Sequence, residues 1–483
     1  MSATARGQPK DFHRYHIGTA EAPPLAGAPG RFSVKISTVA FLRMAASLVA
    51  DSRSLGDLAA NFGSRPCIYG VYDGTFGGLE ARESLCRGCL RCMVEHPDVA
   101  RIEADPRYKR LGDGYWRPEQ VLTIWNEAAT GKIPVRGMGY GGPFKGPGFD
   151  NIWTDMSEIV RPTRDGIHGR EYISTAVDLG SEPMPLGPEV APLEPSEPIV
   201  TLPLPIVFRA LPRRVIGSPA LEAMAEAAGT AGTLIFLGVG DCDEWLGRRA
   251  PELVPLVNGQ NWSSRAWPSG IRVMEWDVTR EALLPPLEAT YLLPKVLWSF
   301  RVRMEPGFED RVVELARRGA TCIRLEADLH GSEWGAARPR HLTELLRSVH
   351  RRLVAGALRD RVTLIAGGGI AAAEHVPKAI LCGADLVSID AAALVALQTE
   401  WQGEWRDPGQ DGPAVPRLPA GWAAQRLLNL LCAWRDQLLE ILGAMGLRDV
   451  RRLRGEVGRA MFADELEREV FEPLFGRKRG SGG

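Results

Sequence analysis

The sequence predicts an α/β protein: a TIM-type (β/α)8 barrel with a cysteine-bearing unit ahead of it and a helical region behind. Three observations predict it. Beyond residue 204, eight short apolar runs recur at 205–211, 233–240, 253–259, 271–277, 294–302, 321–328, 361–368 and 384–390. Helical spacing follows several of them, most clearly at 219–228, 307–318, 342–353 and 374–382. Near-continuous apolar strands alternating with helices mark a parallel sheet covered on both faces, and eight repeats fit closure into a barrel. The connections after Gly259 and Asp277 are poor in helix, so an open doubly wound sheet fits the same alternation.

The remaining elements follow in order. Residues 1–30 are rich in Pro, Gly and Ala and read as a loose terminus. Residues 31–180 form a first unit, with helical spacing at 38–49 and again at 121–129, entered through Pro118 and left at Gly131. A proline-rich connector spans 181–204, the barrel 205–402 and a Gly/Pro-rich loop 403–420. Helical stretches at 422–442 and 447–472 make up the C-terminal region, 421–475, before a polar tail at 476–483. Trp116, Trp125 and Trp153 are expected in core or interface, and the glycine-rich stretch 137–148 as a loop.

Composition bounds the function. At 483 residues the chain exceeds one ordinary core, and 45% hydrophobic with 24% charged residues is the balance of a globular protein. Lys plus Arg (58) nearly cancel Asp plus Glu (59), leaving no field to gather nucleic acid or an anionic membrane. The polar N-terminus lacks a secretory apolar core and no run of eighteen apolar residues occurs, so a cytoplasmic, reducing setting is expected.

Three of the eight cysteines, Cys86, Cys89 and Cys92, are spaced C-x2-C-x2-C and followed by His96-Pro97. This repeats the first three ligands of a bacterial ferredoxin loop, with His96 where the fourth Cys would precede the Pro. Such clustering points to ligation rather than a disulfide framework. An iron–sulfur centre, a zinc site of Cys3His type and a loop that binds nothing all fit the spacing.

Two glycine signals sit at the end of the barrel repeat. Gly367, Gly368 and Gly369 follow the seventh strand, and Gly383, Ala384 and Asp385 introduce the eighth. Glycines at a strand end let backbone amides approach a phosphate, and the last loops of such barrels commonly hold one. Glu326, Asp328 and His330 end the sixth strand, where β/α barrels place catalytic side chains. Between residues 155 and 178, nine ionisable side chains of alternating sign crowd together, with Arg161 and Arg164 spaced for an anion clamp. An interdomain salt-bridge network is the preferred reading, because the alternating signs leave little excess of either charge.

Several of these segments resemble the flavin domain of the glutamate synthases, particularly the archaeal-type and stand-alone glutamate synthase-related proteins. The stretch 365–370, followed by 375–394 with its Gly383-Ala384-Asp385, is similar to that family's FMN-phosphate loop and last barrel strand. Residues 428–461 are similar to its closing helices, and 153–180 to a block that the stand-alone members carry ahead of the barrel. The resemblance implies an FMN-dependent oxidoreductase acting on CH–NH2 donors, which forms glutamate by reductive amination of 2-oxoglutarate. It implies FMN across the barrel mouth, with its phosphate on Gly367–Gly369 and Gly383–Asp385, and Lys295 beside the flavin ring. Glutaminase-type and electron-donor subunits are the implied partners. The chain departs from the family at three places. No cysteine lies between Cys382 and Cys432, where the family carries a three-iron cluster motif. The loop after strand six is altered, and position 2 is Ser rather than a glutaminase Cys, so ammonia would come from another chain. A non-catalytic partner subunit or a zinc-stabilised scaffold is the alternative reading.

Overall fold

The eight apolar runs each fold as a strand: β1 Ile206–Arg209, β2 Ile235–Gly238, β3 Leu253–Val257, β4 Val273–Asp277, β5 Leu297–Arg303, β6 Cys322–Glu326, β7 Thr363–Gly367 and β8 Leu386–Ile389. All neighbours are parallel and β8 pairs back onto β1, so the sheet closes into a TIM-type barrel. The open-sheet alternative is excluded. The structure, a computed structural model, describes residues 15–475 except 26, 44–45, 47–66, 68, 73–80, 96, 135–145, 155–171, 181–197, 243–245, 264–265, 279–283, 402 and 408–412.

Outside the barrel wall run the helices. Pro118–Thr130 (α1) belongs to the unit ahead of the barrel. Arg213–Ala231 (α2) follows β1 with a break at Gly217, and Phe308–Arg317 (α3) follows β5. Leu342–Ala355 (α4), His375–Leu381 (α5) and Ala391–Ala396 (α6) follow β6, β7 and β8. After β3 no helix is formed among the described residues, and β4 is followed by one short turn, Leu287–Leu292. The long Trp422–Ala444 (α7) packs on α1 and α2.

α1 begins at Pro118, whose missing N–H costs nothing in a first turn, and ends at Gly131 in the left-handed conformation. Its apolar face (Val121, Leu122, Ile124, Trp125, Ala128) is buried against α7. Arg426 of α7 is fully buried and donates to three carbonyls, Ala396 O (2.6 Å), Ala22 O (2.6 Å) and Trp125 O (3.2 Å). One guanidinium thereby satisfies the terminal carbonyl of α6, adds a bond to α1, and ties the N-terminal segment to both. Trp116 and Trp125 are buried as expected, while Trp153 lies on a short strand with 39% exposure.

Residues 447–472 form the expected helix only from Ala463 onward, where α and π turns run on to Phe475. Before that, glycines at 455 and 458 interrupt the pattern, leaving short 3-10 turns and a strand, Ala460–Phe462, paired antiparallel with Ile152–Thr154. At the N-terminal rim of the barrel, Val177–Leu179 and Val200–Leu202 pair antiparallel, with Leu179 and Leu202 fully buried. The Gly180 amide donates to Thr363 Oγ1 at the start of β7, fixing this pair to the rim. A separate small core joins strand Phe32–Ile36, antiparallel to Ala100–Ala104, with Val71 and Cys86.

The barrel interior is unusual for its fold. Register partners in neighbouring strands share a face, and Arg301, Arg324 and Ile365 lie in one such row. The inward positions therefore include Arg209, Glu275, Ser299, Arg301, Arg324 and Glu326, where Val, Ile and Leu usually stack. Arg324 binds Glu275 through two parallel bonds (Nε–Oε1 2.6 Å, Nη2–Oε2 2.8 Å), both side chains at most 2% exposed. Removing one partner of such a pair leaves a buried charge, whereas replacing both with apolar residues is far cheaper. Glu275→Leu alone should therefore lower unfolding free energy in urea by about 3–5 kcal/mol, and Glu275→Leu with Arg324→Met should recover most of it. Equal losses in the single and double variants would contradict a coupled pair.

Candidate functional site at the barrel mouth

The C-terminal ends of the strands converge on Glu326. Its carboxylate accepts from Arg209 Nη2 (2.8 Å) at the end of β1 and from Arg301 Nε (2.5 Å) and Nη2 (3.0 Å) on β5. Arg324 Nη1 lies 3.3 Å away on β6 itself. Burial alone would raise the Glu326 carboxyl, but the three guanidiniums overcome it and hold it well below the usual carboxylate range. Arg301 is likewise disfavoured by burial and kept charged by Glu326 first, then Asp277. Arg209 also faces Asp390 (3.6 Å), and Arg301 faces Asp277 (3.3 Å). Burial raises Asp390 against the pull of Arg209, while its carboxylate caps α6 by accepting from the Ala391 amide. Arg209 and Arg301 keep 17% and 13% exposure, so this network forms the floor of the mouth and reaches solvent through it.

Above that floor, the loops after β6 and β7 pack on each other. Gly368 and Gly369 have φ of 98° and 67°, conformations that suit glycine. A side chain at Gly368 would strike the carbonyls of Ala327 and Asp328, and one at Gly369 would strike Gly331. Asp328 holds the facing loop by accepting from the amides of His330 (2.9 Å) and Ser332 (2.7 Å). Burial raises its carboxyl despite those bonds. Among the described residues no oxygen accepts from the amides of Gly368, Gly369 or Ile370, although all three residues are buried. Consecutive buried amides without acceptors form a seat for an anion. This observation fits the phosphate of FMN.

The unit ahead of the barrel closes on these loops. Tyr115 Oη donates to Gly369 O (2.5 Å), and Trp116 Nε1 to Leu329 O (2.9 Å). Asp113 accepts from the amides of Tyr115 (2.8 Å), Trp116 (2.7 Å) and Trp405 (2.8 Å), and lies 2.7 Å from His330 Nε2. Burial pushes the Asp113 carboxyl up, but His330 and the backbone donors outweigh it and leave it lowered. In the cysteine-free stretch after β8, Trp401 stacks on Trp405 (4.6 Å), which stacks on Trp116 (5.9 Å). Asp150, Glu374 and His375 bring ligand atoms within 4.8 Å of one another. Arg117 (2.8 Å from Asp150) and Lys378 (3.3 Å from Glu374) already balance those acids.

The sequence-predicted site residues do not all meet. Glu326, Asp328, Gly367, Gly368 and Gly369 gather at the mouth. Lys295 precedes β5, is exposed, and stands on the opposite rim. Gly383, Ala384 and Asp385 precede β8 and so share that opposite rim, a strand's length from Gly367–Gly369. Asp385 is engaged there by Arg359 (2.8 Å), the Leu364 amide (2.7 Å) and Arg454 (3.1 Å), while a side chain at Gly383 would strike His350. One phosphate cannot touch both glycine groups. Cys86, Cys89 and Cys92 are joined by a fourth thiol, Cys67, which packs on the Cys86 core. Burial, and then the fields of thiolates at Cys92, Cys67 and Cys89, push Cys86 up to about 11 against the pull of the Gly88 amide. His96 and residues 155–171, with the Arg161/Arg164 pair, lie outside the described residues.

A family model described as the conserved region in glutamate synthase matches residues 341–403, from the cap of α4 to the end of α6 and beyond. An archaeal-type glutamate synthase [NADPH] of Thermotoga maritima is 24% identical over 469 residues, 83% of this chain and 92% of that one. Over most of its length the chain is similar to archaeal-type glutamate synthases. A glutamate synthase of Archaeoglobus fulgidus is 25% identical over 84% of this chain and 92% of its own. One from Methanocaldococcus jannaschii reaches 36% over 132 residues, 26% of each chain. Among solved structures, a flavocytochrome b2 variant with sulfite bound superposes with a TM-score of 0.43 at 13% identity, covering 69% of this chain and 80% of that one. No described helix is long and apolar enough to cross a membrane.

One histidine beside the site makes a pH prediction. The ring of His341 accepts from the Thr343 amide to cap α4, and burial lowers it from 6.5 to about 4. Between those values the unfolded chain binds a proton that the folded chain refuses, so stability falls as pH drops from 6.5 towards 4. The loss should reach about 3 kcal/mol, and His341→Asn, which keeps a capping acceptor, should reduce it. Urea midpoints at pH 7 and pH 4.5 check this; an unchanged pH slope in the variant would contradict it.

Proposed function

We propose that this chain is an FMN-dependent oxidoreductase of glutamate synthase type, which aminates 2-oxoglutarate with ammonia. The carrying observation is the turn after β7. Three buried amides without acceptors stand at the mouth of a closed parallel barrel, beside the segment that the glutamate synthase model matches. In this reading Gly368, Gly369 and Ile370 hold the phosphate, and Gly383–Asp385 do not. Arg209 and Arg301, locked by Glu326, line the floor beneath the ring and supply fixed positive charge. When bound, FMN supplies hydride transfer to an imine; the protein supplies orientation and charge. Glu326 is accordingly an anchor for those arginines and not a free acid, and Lys295 has no part in the site.

For the thiols, the reading is an iron–sulfur centre on Cys67, Cys86, Cys89 and Cys92 through which electrons enter. A zinc ion would hold its sulfurs under about 4 Å apart, since each bonds at about 2.3 Å. The C-x2-C-x2-C run is the spacing of a ferredoxin loop, which favours the cluster. A fourth thiol brought from elsewhere in the chain also has precedent in two-cluster ferredoxins.

Purified protein should show flavin absorbance together with a broad iron–sulfur shoulder. Cys67→Ser should remove iron as completely as Cys89→Ser while leaving flavin bound. Full iron in Cys67→Ser, with loss in His96→Ala, would assign the fourth ligand to His96 instead. Gly368→Asp, which sets a negative charge against the phosphate seat, should release flavin; unchanged flavin content would remove the seat from this turn.

A further inference from the structure

We propose that His330 is a catalytic proton carrier at the barrel mouth and that Asp113 is its positioning residue. The assignment rests on the amination reading above and adds the group that moves its protons. His330 sits on the loop after β6, at the end of the barrel where strand-end side chains meet a substrate. It is 6% exposed, and its ring stacks on Tyr115 with centroids 5.2 Å apart. Nε2 is held 2.7 Å from Asp113 Oδ2, and Asp113 is itself fixed by three backbone amides. A carboxylate anchored in this way fixes both the rotamer and the tautomer of the imidazole, with Nε2 carrying the proton towards Asp113. The other nitrogen, Nδ1, has no partner among the described residues. One nitrogen is anchored and the other is left without a partner among the described residues, which is the arrangement general acid–base chemistry requires.

The step it serves is balanced without any further reagent. Ammonia adds to a ketone carbonyl to give a carbinolamine. Protonated His330 gives the Nδ1 proton to the hydroxyl oxygen, the C–O bond breaks, and water leaves. The nitrogen lone pair forms the C=N bond, and the iminium nitrogen then returns one proton to Nδ1. The net change is carbinolamine to imine plus water, with His330 restored. Asp113 comes from the unit ahead of the barrel and His330 from the barrel, so the dyad exists only when the two are docked.

The test is nitrogen NMR of the full chain labelled with 15N-histidine, with 2-oxoglutarate as the probe and His330→Gln to assign the signals. The wild type should show a deshielded Nε2–H proton that moves upfield in Asp113→Asn, and an Nδ1 resonance that shifts as 2-oxoglutarate is added. In flavin-loaded protein, His330→Gln should retain flavin and fold while turnover of 2-oxoglutarate with ammonium falls roughly 100-fold or more. An Nδ1 resonance unmoved at saturating 2-oxoglutarate, or turnover within twofold of wild type in His330→Gln, overturns the proposal. A protein that takes up no flavin overturns the amination reading instead, and the Nδ1 titration still decides whether His330 meets the keto acid.

Discussion

A single carboxylate paired with guanidiniums on three strands is the constraint on which the mouth of this barrel depends. Glu326 gathers Arg209 from β1, Arg301 from β5 and Arg324 from its own strand, and Arg324 is locked in turn by Glu275 on β4. Most of these charges are buried and costly alone, yet the set is close to neutral: three arginines face Glu275, Glu326, Asp277 and Asp390, and burial raises Asp390 towards its neutral form. Interior ionic layers of this kind contribute little net stability, but they fix geometry. Here the fixed geometry is that of two partly exposed arginines at the one end of the barrel where chemistry is expected.

The second constraint is the docking of the preceding unit. Tyr115 and Trp116 reach the carbonyls of Gly369 and Leu329, and Asp113 grips His330 and Trp405. The glycine turn after β7 is therefore held from one side by the loop after β6 and from the other by a segment more than 200 residues upstream, as the Tyr115–Gly369 separation of 254 residues shows. Such over-determination is what lets three buried amides stand without acceptors of their own.

Much of the barrel was legible in the sequence because its strands are buried on both faces and read as continuous apolar runs. The charged layer was not read from the sequence, although Arg324 with Glu326, Glu275 with Asp277, and Ser299 with Arg301 stand at period-two spacing inside otherwise apolar strands. Strand direction explains the misplaced residues. A residue before a parallel strand lies on the rim opposite one that follows it, which separates Lys295 and Gly383–Asp385 from Gly367–Gly369. The helix expected at 447–472 formed only from Ala463, because glycines at 455 and 458 interrupt the apolar pattern before it. Cys67 and Asp113 could not be found by spacing, because each joins its partners through tertiary packing and carries no local signal.

The account makes the amides of Gly368, Gly369 and Ile370 the anion seat of the molecule, with the arginines of the floor already in place before anything binds. Difference electron density from crystals grown with FMN tests this most directly. The expected result is phosphate density against those three amides, with Arg209 and Arg301 still paired to Glu326. Phosphate density beside Gly383 and Asp385, or a mouth that excludes the flavin altogether, would contradict it.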